Sequence, residues 1–157
     1  MVDVVSLLEY NENVRYRYFD SLAKLPWKEY VKNREASFNS LRNIFIHTLE
    51  TMDYWLDFLK KENLRSKKEF DEFKTFDDVE SYMEQVKKRM REYLKSLSNV
   101  GLKKTYSVTG EKHKSTRITA EDILIHIFEE EIHHRGEMNA LLWQMGVDPP
   151  PMGWKGL

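Results

Sequence analysis

The stretch LIHIFEEEIHHRGEMNALLWQMGVDPPP, Leu124–Pro151, decides how the chain is read. Apolar residues recur in it at three- and four-residue spacings, and the pattern predicts one long helix from about Ala120 to Met145. Thr119 is its expected N-cap, with Asp122 at the third helical position. Gly146 is a natural left-handed stop, and Pro149, Pro150 and Pro151 forbid continuation.

Three more helices precede it. The first spans about Asp3 to Lys24 on a stripe that includes Val4, Leu8, Val14, Tyr18 and Leu22, and Pro26 stops it before a short turn from Trp27 to Val31. The second spans about Ser40 to Glu62, with Ser37, Asn39 and Ser40 as possible caps and Leu41, Ile44, Phe45, Met52, Trp55 and Leu59 as core. The third spans about Phe76 to Ser96, opened by a Thr75–Asp78 capping box. Asn99 to Arg117 is a long connection, in which Tyr106 to Gly110 reads as a short hairpin or an irregular crossover. The expected fold is therefore all-α: a four-helix bundle with a long connection between helices three and four, forming one domain over 1–157.

Composition removes several classes of function. With 25 basic and 26 acidic residues the net charge is -1, which gives no field to attract nucleic acid or a membrane surface. Lys103, Lys104, Lys112, Lys114 and Arg117 form the densest basic run, read as a solvated loop, and His113 within it receives no role. The chain has no cysteine, so disulfides, thiolate metal sites and cysteine nucleophiles are excluded. No segment approaches the ~18 apolar residues of a membrane span, and a cytoplasmic location is expected.

The informative anomaly lies on the last helix. His126, Glu130, His134 and Glu137 fall within or beside the apolar stripe of Ile123, Ile127, Met138, Leu141 and Met145. A carboxylate and imidazoles at such positions must pair, face a cavity or bind a cation, because burying them alone costs several kcal/mol. Glu130 and His134 are four residues apart, the two-ligand spacing of helical metal sites, and His47 on the second helix is the available third ligand. Spacing alone also admits a hydrogen-bonded or solvated His–Glu pair, the commoner fate of such residues.

The same stretch resembles the DinB-like family of metal-binding four-helix bundles. Its last helix typically reads H-x-x-x-H-x-x-H-H-R-G-Q before an apolar run, a glycine and a proline-rich tail. His126, His133, His134, Arg135 and Gly136 stand in the matching places. Leu8-Glu9-Tyr10-Asn11 is similar to the family's opening motif, and Ser40-Leu41-Arg42 through His47 and Trp55 to its second helix. The resemblance implies a divalent ion (Zn, Ni, Mn or Fe) on a ligand set that maps to His47, position 130 and His134. Position 130 is usually histidine and is glutamate here, and Glu137 replaces a glutamine. Glu130 keeps a competent ligand and adds negative charge; alternatively it marks a lost site and pairs with Arg or Lys.

The neighbouring residues have their own expectations. His126, one turn before Glu130, is read as a fourth ligand, a partner behind the ligands, a general base or a satisfied core histidine. His133 points away toward a packing contact or an interface, and Arg135 pairs with an acidic residue of a neighbouring helix. Ile125, Phe128, Ile132 and Trp143, near Gly136 and Ala140, make a second apolar strip. It serves either as the homodimer face the resemblance implies or as ground covered by the connection and by the tail with Trp154.

Three functions compete. The first is a metal-dependent enzyme, a transferase, isomerase or hydrolase, in which an open metal position meets a small substrate. A small-molecule thiol is the co-substrate that similar bundles imply, with His126 or Glu137 moving the proton and Trp55, Tyr54 and Phe58 walling the pocket. The second is a non-catalytic metal-binding or stress-response protein. The third is a structural bundle whose polar cluster is an ion-pair network. No nucleic-acid or membrane partner is expected.

Overall fold

The computed structural model describes residues 3–109 and 115–154. Lys112, His113 and Lys114 of the basic run lie outside them. The order is α1 (Val4–Leu22), α2 (Trp27–Tyr30), α3 (Leu41–Lys60), a 3-10 turn (Phe70–Glu72), α4 (Phe76–Ser96), α5 (Asn99–Leu102), β1 (Thr105–Thr109), β2 (Ser115–Thr119) and α6 (Ala120–Gln144). The fold is mainly α, and the all-α expectation is corrected by the two strands. They pair antiparallel from Thr105 opposite Thr119 to Thr109 opposite Ser115. The connection carries β-branched residues at Thr105, Val108, Thr109, Thr116, Ile118 and Thr119, which suit a pleated strand better than a helix.

Caps fix where the long helices start. Asp3 and Ser40 accept the Ser6 and Asn43 amides. Thr75 with Asp78, and Thr119 with Asp122, form reciprocal capping boxes. Helix α3 stops at Lys61 in the left-handed region, φ 56°, and the chain turns away from α6 at Gly146, φ 70°. Ser37 and Asn39 cap nothing; Ser40 alone takes that role for α3.

The four long helices pack side by side: α6 against α1 and α3, α4 against α3 and α1. Val14, Leu22, Ile44, Leu49, Met83 and Leu124 are fully enclosed between them. Residues 61–69 form a strap without helix or strand that returns across α3. Its amides are held by α3 carboxylates, Arg65 N–H on Asp57 at 3.1 Å and Lys68 N–H on Glu50 at 2.9 Å. The tail lies along α1, where Tyr10 donates to the Met152 carbonyl and stacks on Trp154 at 5.2 Å. Phe128 packs beside Tyr10, so α1 meets that end of the second apolar strip. Ile132 and Trp143 stay 45% and 63% exposed. Among the described residues no helix is long and apolar enough to cross a membrane.

Candidate metal centre

Helix α6 turns two polar faces inward. On the side facing α3 it presents Glu130 and His134, and α3 brings His47 opposite them. One ligand atom from each of the three residues lies within 4.8 Å of the others. The His47 and His134 rings meet edge to face at 4.8 Å. Phe38, from the segment between α2 and α3, stacks on His47 at 3.9 Å and meets the edge of His134 at 5.5 Å. His134 is buried, and His47 and Glu130 are half-buried at the rim of a cavity.

The protons of this cluster can be assigned from its partners. Burial alone would raise the Glu137 carboxyl, but hydrogen bonds from His134 and Ser37 outweigh it and hold Glu137 below the usual glutamate range. It is therefore an ionised acceptor, and the His134 Nδ1–H donates to its Oε2 at 2.6 Å. The Ser37 hydroxyl donates to the same oxygen at 2.9 Å. The other ring nitrogen, Nε2, faces the Glu130 carboxylate 3.6 Å away. Glu130 has no Arg or Lys partner among the described residues, so the expected pairing with Arg or Lys is not found; the one ring nitrogen beside it is that of His134. A carboxylate orienting a ligating imidazole through its other nitrogen is the usual support of a histidine metal ligand.

His47 is pushed down to about 4 by burial, and next by the neighbouring His134. It is neutral at physiological pH and offers a lone pair, as a metal ligand must. A depressed imidazole also sets a pH dependence. Above the ordinary value of 6.5 neither folded nor unfolded His47 holds a proton, and stability is unaffected. As pH falls below that value the unfolded chain gains a proton that the folded chain refuses until about 4, so stability is lost across this window. In chelator-treated protein the loss by about pH 5 is on the order of 1–2 kcal/mol after allowing for solvent screening. Urea unfolding of wild type and His47→Gln at about pH 7 and about pH 5 checks this, since the variant lacks the drop. Equal drops in both proteins would refute it.

The other sequence candidates fall around this cluster. His126 lines the same cavity as His47 and Glu130 and meets the edge of Trp55 at 5.6 Å. Glu137 sits at the His134 ring nitrogen that does not face Glu130. His133 is exposed, yet His133, His134 and Glu137 form a second triad with ligand atoms within 4.8 Å of one another. In that set the Nδ1–H of His134 already occupies Glu137, so the first set is the better donor cage.

Sequence reasoning missed the other inward polar face of α6. Glu131, Arg135 and Asn139 are buried against α1. Arg15 of α1 donates to Glu131 at 2.5 Å, and Arg135 donates to Glu131 at 3.1 Å and to Asn11. The expected acidic partner of Arg135 on a neighbouring helix is thus corrected. The carboxylate is one turn back on its own helix, and α1 supplies an amide and a second guanidinium. A polar residue at 11 and at 15 on the otherwise apolar face of the first helix was the available signal. Ser37 and Phe38 were missed because they lie in a segment without periodicity, held by left-handed backbone at Glu35 and Asn39.

The cluster opens into a cavity of about 790 Å³ between α3, α6 and the strap. That is room for a small molecule. Two imidazoles and a carboxylate, braced from behind and facing such a cavity, define a class: helical proteins able to hold a divalent ion at the edge of a small-molecule pocket. The chain belongs to the DinB family, whose model matches residues 1–155. It is also similar to the uncharacterized protein YizA of Bacillus subtilis (strain 168), at 24% identity over 147 residues, 93% of this chain and 90% of that protein.

Proposed function

We propose that this chain binds one divalent cation through His47, Glu130 and His134 and uses it in an enzymatic reaction on a small molecule, of the thiol-dependent transferase or isomerase type. The observation that carries the reading is the convergence of one ligand atom each from His47, Glu130 and His134 within 4.8 Å of one another, with Glu137 bracing the other nitrogen of His134. A divalent cation would sit among those three atoms. Borderline ions such as Zn²⁺, Ni²⁺, Mn²⁺ or Fe²⁺ suit a mixed imidazole and carboxylate set.

When bound, the ion supplies Lewis acidity and lowers the pKa of a thiol or water placed on it. The protein's residues do the rest. Glu137 and Ser37 hold the His134 ring, and Phe38 holds His47. Trp55 and His126 wall the cavity, and His126 is the titratable group free to carry a proton there. The long helices act as a bundle that keeps α3 and α6 in register. The exposed strip of Ile132, Gly136, Ala140 and Trp143 fits a homodimer face.

Metal analysis tests the first half. Protein stripped with chelator, reloaded with Zn²⁺, Ni²⁺ or Mn²⁺ and desalted is expected to retain about one ion per chain. Retention below about a tenth of an ion with every metal would sink the site. A thiol-transfer screen of the loaded protein then separates enzyme from binder.

A further inference from the structure

The cavity beside the metal cluster has a second charged end. One of its walls is the strap, which brings Arg65, Lys67 and Lys68 to it. Tyr54 and Trp55, packed edge to face at 5.3 Å, also line it, about one turn further along α3 than Glu50, which holds the Lys68 amide. The cavity therefore has a ligand cluster, an aromatic wall and a cationic rim.

The charges at that rim can be followed one by one. Asp53 and Asp57 look into the cavity but are committed. Arg89 of α4 pairs with both, and Arg65 lies 3.7 and 3.6 Å from them. Asp57 also accepts the Arg65 amide, and Glu72 accepts the Glu69 amide. Glu50 accepts the Lys68 amide, and burial raises its carboxyl above the ordinary value. Lys67 and Lys68 remain. Neither forms an ion pair among the described residues; their ammonium groups rest 5.5 Å from the Phe70 ring and 5.3 Å from the Tyr82 ring. Lys67 lies toward the cluster, because the Phe70 ring beneath it meets Phe38, which stacks on His47. A divalent ion on His47, Glu130 and His134 would outweigh the single Glu130 carboxylate and leave the cluster net positive.

We propose that the substrate of this site is a small organic anion: its reactive end lies at the metal cluster, and a carboxylate at its other end is held by Lys67 and Lys68. This rests on the metal reading above. The recognition follows from charge, since lysine acts as a flexible point charge and needs no fixed fork geometry. Trp55 and Tyr54 give an apolar linker a wall to rest on, and Arg65 stays engaged with α3.

Three thiols of equal length that differ only at the far end test it. Mercaptohexanoate, mercaptohexanol and aminohexanethiol are titrated into Co²⁺-loaded protein, and the visible absorption of the ion reports occupancy. Mercaptohexanoate is expected to bind about tenfold more tightly than mercaptohexanol, which is about 1.4 kcal/mol, and aminohexanethiol more weakly than either. Added salt shrinks the preference. In Lys67→Ala/Lys68→Ala the preference disappears, while mercaptohexanol binds as in wild type. The variant stays folded, because both side chains lie on the strap outside the core. Equal affinities for the three thiols, or a carboxylate preference that survives in the double variant, overturn the proposal. Protein that takes up no Co²⁺ overturns the metal reading, Co²⁺ that no thiol perturbs overturns the thiol reading, and this proposal falls with either. Mercaptohexanol alone tells failure of the thiol reading from failure of the carboxylate preference.

Discussion

In His47→Ala, metal retention falls to background while the helices stay intact. In the proposed site His47 is the ligand that α3 would contribute; Glu130 and His134 both sit on α6. Without it two ligands on one helix remain, and affinity drops by at least about a hundredfold, beyond the 10–100-fold typical of losing a mere supporting group. Folding survives because the ring is half-buried at the cavity rim, and the enclosed core of Ile44, Leu49 and Met52 lies on other faces of α3. Three companion variants make the result diagnostic. Glu137→Gln keeps the ligands but weakens the brace on His134 Nδ1, so affinity falls about 10–100-fold. Glu130→His restores the family's usual residue and retains the ion. His133→Ala leaves affinity within about twofold, because His133 belongs only to the alternative triad. Isothermal titration with Zn²⁺ reads all four. Loss of binding in His133→Ala with retention in His47→Ala would transfer the site to His133, His134 and Glu137.

Much of this centre was legible because it rests on local rules. Thr75 with Asp78 and Thr119 with Asp122 mark helix starts by hydrogen bonds within four residues, and the structure makes both boxes. The pairing of Glu130 with His134 follows from helical geometry, and the proline run after Gly146 fixes where α6 ends. What stayed hidden depends on tertiary placement. Glu129, Glu130 and Glu131 follow one another, and a helix turns by about 100° per residue. Periodicity assigned Glu130 to the stripe but gave no sign that Glu131, on the next face, is buried against α1. A helix packed by α1 on one side and α3 on the other buries two stripes, so its amphipathic signal is blurred. Phe38 and Ser37 have no periodicity to betray them; they reach the cluster because the backbone of residues 35–39 folds back on α3 and α6.

Replacing Glu131 by alanine is expected to cost about 3–5 kcal/mol of stability, more than any substitution in the metal cluster. Glu131 is 3% exposed and lies between Arg15 at 5% and Arg135 at 3%. It carries the only carboxylate that either guanidinium touches among the described residues. Removing it leaves two positive charges in a dry interface, where their repulsion and desolvation have no compensation. Arg135→Met is expected to cost less, about 1–3 kcal/mol. It leaves the Arg15–Glu131 pair intact at 2.5 Å and removes Arg135 Nη1, a buried donor that already lacks a partner. Its main penalty is the Asn11 carbonyl left without its donor. Urea unfolding of both variants in metal-free buffer measures the order, and an Arg135→Met loss as large as that of Glu131→Ala would mean that shape rather than charge holds this face. The position of the triad also ties it to the other face of α6. Glu131 and Arg135 each follow a metal-cluster residue by one position, so the clamp on α1 fixes the rotation of α6 that aims Glu130 and His134 at His47. A Glu131→Ala protein that still folds should therefore bind Zn²⁺ more weakly, although no atom of the cluster has been changed.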